Sequence, residues 1–121
     1  MSPPLVSIID DDESVRKATK NFIRSLGYSV ETFASAEEYL QSEFIHVTAC
    51  VITDLHMPGL DGASLQGRLA CGGYRTPIIF VTAYSDEKTR TRLLKAGAVG
   101  FFSKPFDEKC LINCLDRALK S

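Results

Sequence analysis

"IIDDDES", residues 8–14, runs an apolar segment straight into three aspartates and a glutamate. Like charges at the end of a strand bound for the interior repel one another and lose hydration on burial. The stretch therefore calls for something that offsets them. On its upstream side, "LVSII" (Leu5–Ile9) is short, apolar and rich in β-branched residues, the composition of a buried strand. On its downstream side, Val15, Ala18, Phe22, Ile23 and Leu26 recur at helical spacing, and Gly27 ends the run. Strand, acids, helix is the first unit of an alternation that continues along the chain.

"YSVETF" (28–33) alternates in the manner of a more exposed, edge-type strand. Ser35 with Glu38 three positions on has the form of a capping box, opening a second helix whose inner face is Tyr39, Leu40 and Phe44. "ACVIT" (49–53) is a buried strand, followed by the loop "DLHMPGLDG" (54–62) and a third helix over 61–71 that stops at Gly72 and Gly73. "PIIFVT" (77–82) is a fourth strand, with proline at the one position a strand accepts easily. A polar helix over 85–96 closes at Gly97, "VGFFS" (99–103) is the fifth strand, and a last helix after Lys104 and Pro105 carries Phe106, Leu111, Leu115 and Leu119. Five strands alternating with five helices predict an α/β fold, a doubly wound parallel sheet of order 2-1-3-4-5 covered on both faces. All of it is expected to form one domain, residues 1–121.

The bulk properties agree. A chain of 121 residues, 45% hydrophobic and 24% charged, has the length and balance of one globular core. Its net charge of −1 argues against nucleic-acid binding by this chain, which calls for a basic surface. No apolar run approaches the roughly 20 residues of a membrane span, and the first four residues do not resemble a signal peptide. A cytoplasmic location is the expectation. The four cysteines, at 50, 71, 110 and 114, form no CxxC pair and are expected to be small buried hydrophobes, with Cys110 and Cys114 on one helix face.

The acids can now be placed. In a 2-1-3-4-5 sheet the first and third strands are neighbours at the switch point where ligands bind. The first ends at Asp10 and Asp11, the third at Asp54. Two such charges about 4 Å apart repel by ~4 kcal/mol at an effective dielectric near 20. A hard divalent cation offsets that repulsion, and Mg²⁺ suits a few carboxylates plus water and phosphate. Asp12 and Glu13 serve a plainer purpose, capping and charging the start of the first helix. The fourth strand ends in Thr82 and the small Ala83, and the fifth leads into Lys104, so a hydroxyl and an ammonium are expected beside the same crevice.

With those positions, "IIDDDE", "VITDLHMPGLDG", "VTAY" and "AGAVGFFSKPF" together resemble the signature blocks of response-regulator receiver domains, the CheY-like modules of two-component signalling. The likeness covers essentially the whole chain, and the last block is most similar to the FixJ-type transcriptional branch. It implies that Asp54 accepts a phosphoryl group from a sensor histidine kinase. It implies that Asp10, Asp11 and Asp54 hold Mg²⁺ (or Mn²⁺) with the backbone carbonyl of His56, Asp11 being the more direct ligand and Asp10 acting partly through water. Thr82 matches the switch hydroxyl, Ala83 the small residue that leaves room for a phosphoryl group, Lys104 the phosphoryl-binding lysine and Phe101 the switch aromatic. A cis Lys104–Pro105 peptide is expected. Met57, Pro58 and Gly62 are expected to shape the loop, the proline setting its path, the methionine filling a gap beneath it and the glycine allowing an unusual angle or a close approach.

The resemblance also implies an output face on the fourth helix, fifth strand and fifth helix. Lys88, Arg92 and Lys95 make a basic stripe on that helix. One use for it is a phosphorylation-dependent homodimer, through acids such as Asp107, Glu108 or Asp116 of a second copy; a solvated surface is the plainer use. The resemblance leaves two expectations open, a DNA-binding domain C-terminal to this chain or a complete single-domain regulator. The rival is a small phosphatase or hydrolase with Asp54 as nucleophile. It lacks the general acid two residues on, where His56 stands, and the chain is short for a substrate-capping domain.

Overall fold

The apolar runs become five parallel strands in a computed structural model that describes residues 3–84 and 86–120. They are β1 (Leu5–Ile9), β2 (Ser29–Phe33), β3 (Cys50–Asp54), β4 (Ile78–Thr82) and β5 (Gly100–Ser103). The helices between them are α1 (Glu13–Ser25), α2 (Ala36–Leu40), α3 (Gly62–Cys71), α4 (Glu87–Lys95) and α5 (Glu108–Lys120). The sheet order is β2-β1-β3-β4-β5, as the alternation predicts. β2 is one of the sheet's two edge strands and mostly half-buried, in keeping with its alternating composition.

Side chains two apart on a strand share a face. Val6 and Ile8, Cys50 and Ile52, and Ile79 and Val81 pack with Ile23 of α1 and with Leu111, Cys114 and Leu115 of α5. Their neighbours Ile9, Val51, Ile78 and Phe80 pack on the other face with Tyr39 of α2, Leu65 and Leu69 of α3, and Leu93 of α4. Two apolar layers thus enclose the sheet, as its parallel pairing requires.

Local signals set most helix ends. Asp12 caps α1, its carboxylate accepting from the amides of Ser14 (2.9 Å) and Val15 (3.2 Å). Ser35 Oγ accepts from the Glu38 amide at 3.0 Å, and Asp61 and Asp86 cap α3 and α4. Ser85, expected to open the fourth helix, lies outside the described residues.

Two expectations need correction. The second helix is not continuous through Phe44: α2 stops at Leu40 and a separate 3₁₀ turn spans Glu43–His46. Ser42 Oγ donates to the Tyr39 carbonyl at 2.9 Å, a local bond that competes with helix propagation. Phe44 still packs against the core. The cysteines also divide, Cys50 and Cys114 buried but Cys71 and Cys110 exposed. Four residues carry a helix about 40° past a full turn, and only Cys114 lands against β5, where its Sγ would lie 2.6 Å from a Cβ at Gly100.

Candidate functional site

The period of two continues past the strand ends. Val6, Ile8, then Asp10; Cys50, Ile52, then Asp54; Phe102, then Lys104: each series points to the α1/α5 side. Register aligns them in height, since Ile9 pairs with Thr53 and Thr82 with Ser103. Lys104 is further tied by its amide, which donates to the Thr82 carbonyl at 2.7 Å.

At this edge Lys104 Nζ lies 3.4 Å from Asp10 Oδ2 and 3.7 Å from Asp54 Oδ2. Asp10 is buried, only 5% exposed, while Asp54 is half-buried and Asp11 exposed. One carboxylate oxygen from each of the three aspartates falls within 4.8 Å of the others. The Asp12 amide donates to Asp10 Oδ1 (2.9 Å) and the His56 amide to Asp54 Oδ1 (3.3 Å). Burial raises the Asp54 carboxyl above the ordinary carboxylate range; Lys104 opposes the rise and Asp10 adds to it.

The donor set fits a hard divalent cation. Its oxygens are carboxylates, as Mg²⁺ prefers, and they already converge on one point at the sheet edge. Gly62 fits its expected use by close approach, since a Cβ there would lie 2.8 Å from the Asp54 carbonyl oxygen and 3.1 Å from Leu55 Cα. Met57 is buried beneath the loop, Pro58 is exposed, and the Lys104–Pro105 peptide is cis.

Thr82 and Phe101 stand on the opposite parity. Thr82 follows Ile78 and Phe80, and its fully buried hydroxyl is engaged with Tyr84, donating to the carbonyl (3.0 Å) and accepting from the amide (3.2 Å). Phe101 is half-buried against Phe80, with ring centroids 6.3 Å apart. Ala83 is exposed beside them. The aspartates and Lys104 are therefore already assembled, while Thr82 is held away from them.

Lys88, Arg92 and Lys95 are exposed together and line one shallow groove with Glu87 and Thr91. Asp107 and Glu108 are exposed at the start of α5. Asp116 instead takes a hydrogen bond from the Tyr28 hydroxyl (2.9 Å) on the α1/α5 side, away from that stripe.

Two residues at the site escaped the sequence reading. Arg16 Nη1 donates to the Asp10 carbonyl at 2.7 Å; its place one turn after Asp12 in α1 is a signal that could have found it. Glu37 of α2 accepts from the Leu60 amide in the loop after β3, at 3.2 Å. No sequence pattern links residues 23 positions apart in that way.

The profile described as response regulator receiver domain matches residues 6–116. The chain is 40% identical over 111 residues to nodulation protein W of Bradyrhizobium diazoefficiens, covering 92% of this chain and 49% of that protein. It superposes on the solved structure of response regulator StyR with a TM-score of 0.90 and 38% identity, over 98% of this chain and 60% of that one. The crystal structure of FixJ-N gives a TM-score of 0.86 and 33% identity, covering 99% of this chain and 96% of that one. The chain spans about half the length of the curated relatives it matches. No helix among the described residues is long and apolar enough to cross a membrane.

Proposed function

The chain belongs to the response-regulator receiver family of two-component systems, and we propose that its Asp54 is the phosphoacceptor for a sensor histidine kinase. One observation carries this assignment: three aspartates and a shared lysine converge at the carboxyl edge of the sheet, with Lys104 Nζ within 4 Å of both Asp10 and Asp54. The comparisons lend no support to the phosphatase alternative.

An Asp54 carboxylate oxygen forms the new O–P bond as the P–N bond of a phosphohistidine breaks, its electron pair leaving with the imidazole. The half-buried setting holds Asp54 in place, and the His56 amide fixes the rotation of its carboxylate. Lys104, on a flexible stem, exchanges its contact with Asp54 for a phosphoryl oxygen. Asp10, Asp11, Asp54 and the His56 carbonyl are the groups that would hold Mg²⁺ or Mn²⁺. Such an ion supplies charge neutralisation at the acids and at the incoming phosphoryl oxygens.

The response follows from the opposite parity of Thr82 and Phe101. The small Ala83 leaves room for a phosphoryl group, whose oxygens compete with the Tyr84 carbonyl for the Thr82 hydroxyl. When Thr82 turns, it vacates space on the face where Phe101 packs, and the ring and the β4–α4 loop move together. The readout face is α4, β5 and α5. There the stripe Lys88, Arg92 and Lys95 pairs with Asp107 and Glu108 of a second phosphorylated copy. Nodulation protein W and response regulator StyR both extend well beyond the matched region, and that further length supports an output domain, here taken to be a C-terminal DNA-binding one, as the partner under control.

Intact mass after incubation with a small phosphodonor tests the assignment. One phosphoryl group is expected on the native chain with Mg²⁺, and none on Asp54→Asn or without the ion. If Mg²⁺ binds but neither a small donor nor a phosphorylated histidine-kinase domain transfers to Asp54, the proposal fails.

A further inference from the structure

The loop from Leu55 to Asp61 is anchored from below by the buried side chains of Leu55 and Met57, and closed by the Gly62 amide donating to the Leu55 carbonyl at 2.9 Å. Between those anchors stand Pro58 and Gly59, both exposed, and Leu60, whose side chain is partly buried against the core. Gly59 has φ +76, a left-handed conformation that leaves its Cα bare toward α2. The Glu37 carboxylate fills that space. Its Oε2 lies 2.5 Å from where a Cβ at position 59 would be, and it accepts from the Leu60 amide at 3.2 Å. The backbone that carries Glu37 is held in place, because Ala36 and Tyr39 on either side of it in α2 are fully buried.

This bond ties the loop to an element outside β3 and α3. The same loop carries His56, whose amide bonds Asp54 and whose carbonyl is the backbone member of the proposed cation site. A hydrogen bond to an ionised acceptor is stronger than a neutral one, and outer partners that fix a ligand's direction set metal affinity. Glu37 is exposed and does not belong to the apolar core, so its effect falls on the loop rather than on folding.

We infer that Glu37 is a positioning residue for the phosphoacceptor loop, clamping Gly59 and Leu60 so that the His56 carbonyl is held ready for the cation. The clamp rests on the cation site proposed above, and the experiment separates the two. Native protein, Glu37→Ala and Glu37→Gln are compared by amide exchange at Leu60 without metal and by Mg²⁺ titration, with Asp11→Asn as the control for the site itself. In Glu37→Ala the Leu60 amide should exchange roughly tenfold faster and Mg²⁺ should bind about 3- to 10-fold more weakly, the worth of one hydrogen bond. Glu37→Gln keeps an acceptor oxygen but not the charge, and should recover both in part, between Glu37→Ala and native. Unchanged Leu60 exchange in Glu37→Ala overturns the clamp, and so does unchanged Mg²⁺ affinity. A Glu37→Gln variant whose Leu60 amide exchanges as fast as in Glu37→Ala also overturns it, because the acceptor oxygen would then contribute nothing. If the native chain shows no Mg²⁺ binding that depends on Asp11, the cation site fails instead, and the exchange measurement alone decides whether Glu37 holds the loop.

Discussion

Asp54 is at once the group the site is built around and a source of instability. Burial raises its carboxyl above the ordinary value of 3.8, so the folded state holds its proton to higher pH than the unfolded chain does. The folded state binds more protons in that window, and stability falls as pH rises through it. The contribution is therefore fully present below the ordinary value and lost as pH climbs past the raised one. In metal-free protein near pH 7, Asp54→Asn should raise Tm, and the gain should vanish as pH falls below the ordinary carboxylate value. Thermal melts of both proteins across pH check this, and a variant less stable at neutral pH would contradict it. The positions of Asp10, Asp11, Asp54 and Lys104 were legible because each ends a recognisable strand. The contacts of Arg16 and Glu37 were not, because an arginine or glutamate on a helix has the same composition whether it meets solvent or a carbonyl.

α4 buries Leu93 and little else, and exposes Lys88, Arg92 and Lys95 along one shallow groove. A stripe exposed along one groove is available to a second chain. Dimerisation of the phosphorylated protein should weaken several-fold as salt shortens the Debye length from about 10 Å toward 3 Å, and Arg92→Glu should weaken it at low salt. Sedimentation at several salt concentrations measures both; a dimer indifferent to salt would leave the stripe without that use. α2 gives the contrasting case. Its apolar residues 39, 40 and 44 fit a single helix by spacing alone, yet the Ser42 hydroxyl takes the Tyr39 carbonyl and splits the segment. Periodicity reports which residues face inward, and Phe44 does face inward. It does not report whether the backbone between them stays helical.

The two layers across the sheet make a prediction about thiols. Cys50 is fully buried and its thiol is pushed up to about 12 by burial, and Cys114 is raised for the same cause. Cys71 and Cys110 are exposed. A thiol reagent at pH 8 should modify those two quickly in the native protein and the other pair only on unfolding. Peptide mapping of the modified chain identifies them, and rapid labelling of Cys114 would show that α5 does not seal against β5.

The order of strands and helices, the parallel sheet and the meeting of acids at one edge follow from the chain read by itself. Strand and helix periods are local properties, and right-handed crossovers leave few ways to arrange five βα units. What only the tertiary structure decided is which groups touch. Register and parity put Asp10, Asp54 and Lys104 on one face and Thr82 with Phe101 on the other, and they separate an assembled acidic site from a hydroxyl held elsewhere. Glu37 reaches Leu60 across 23 positions, and Asp116 reaches Tyr28 across 88. Such pairings depend on how elements are docked to within an ångström, and short-range pattern carries no information about that.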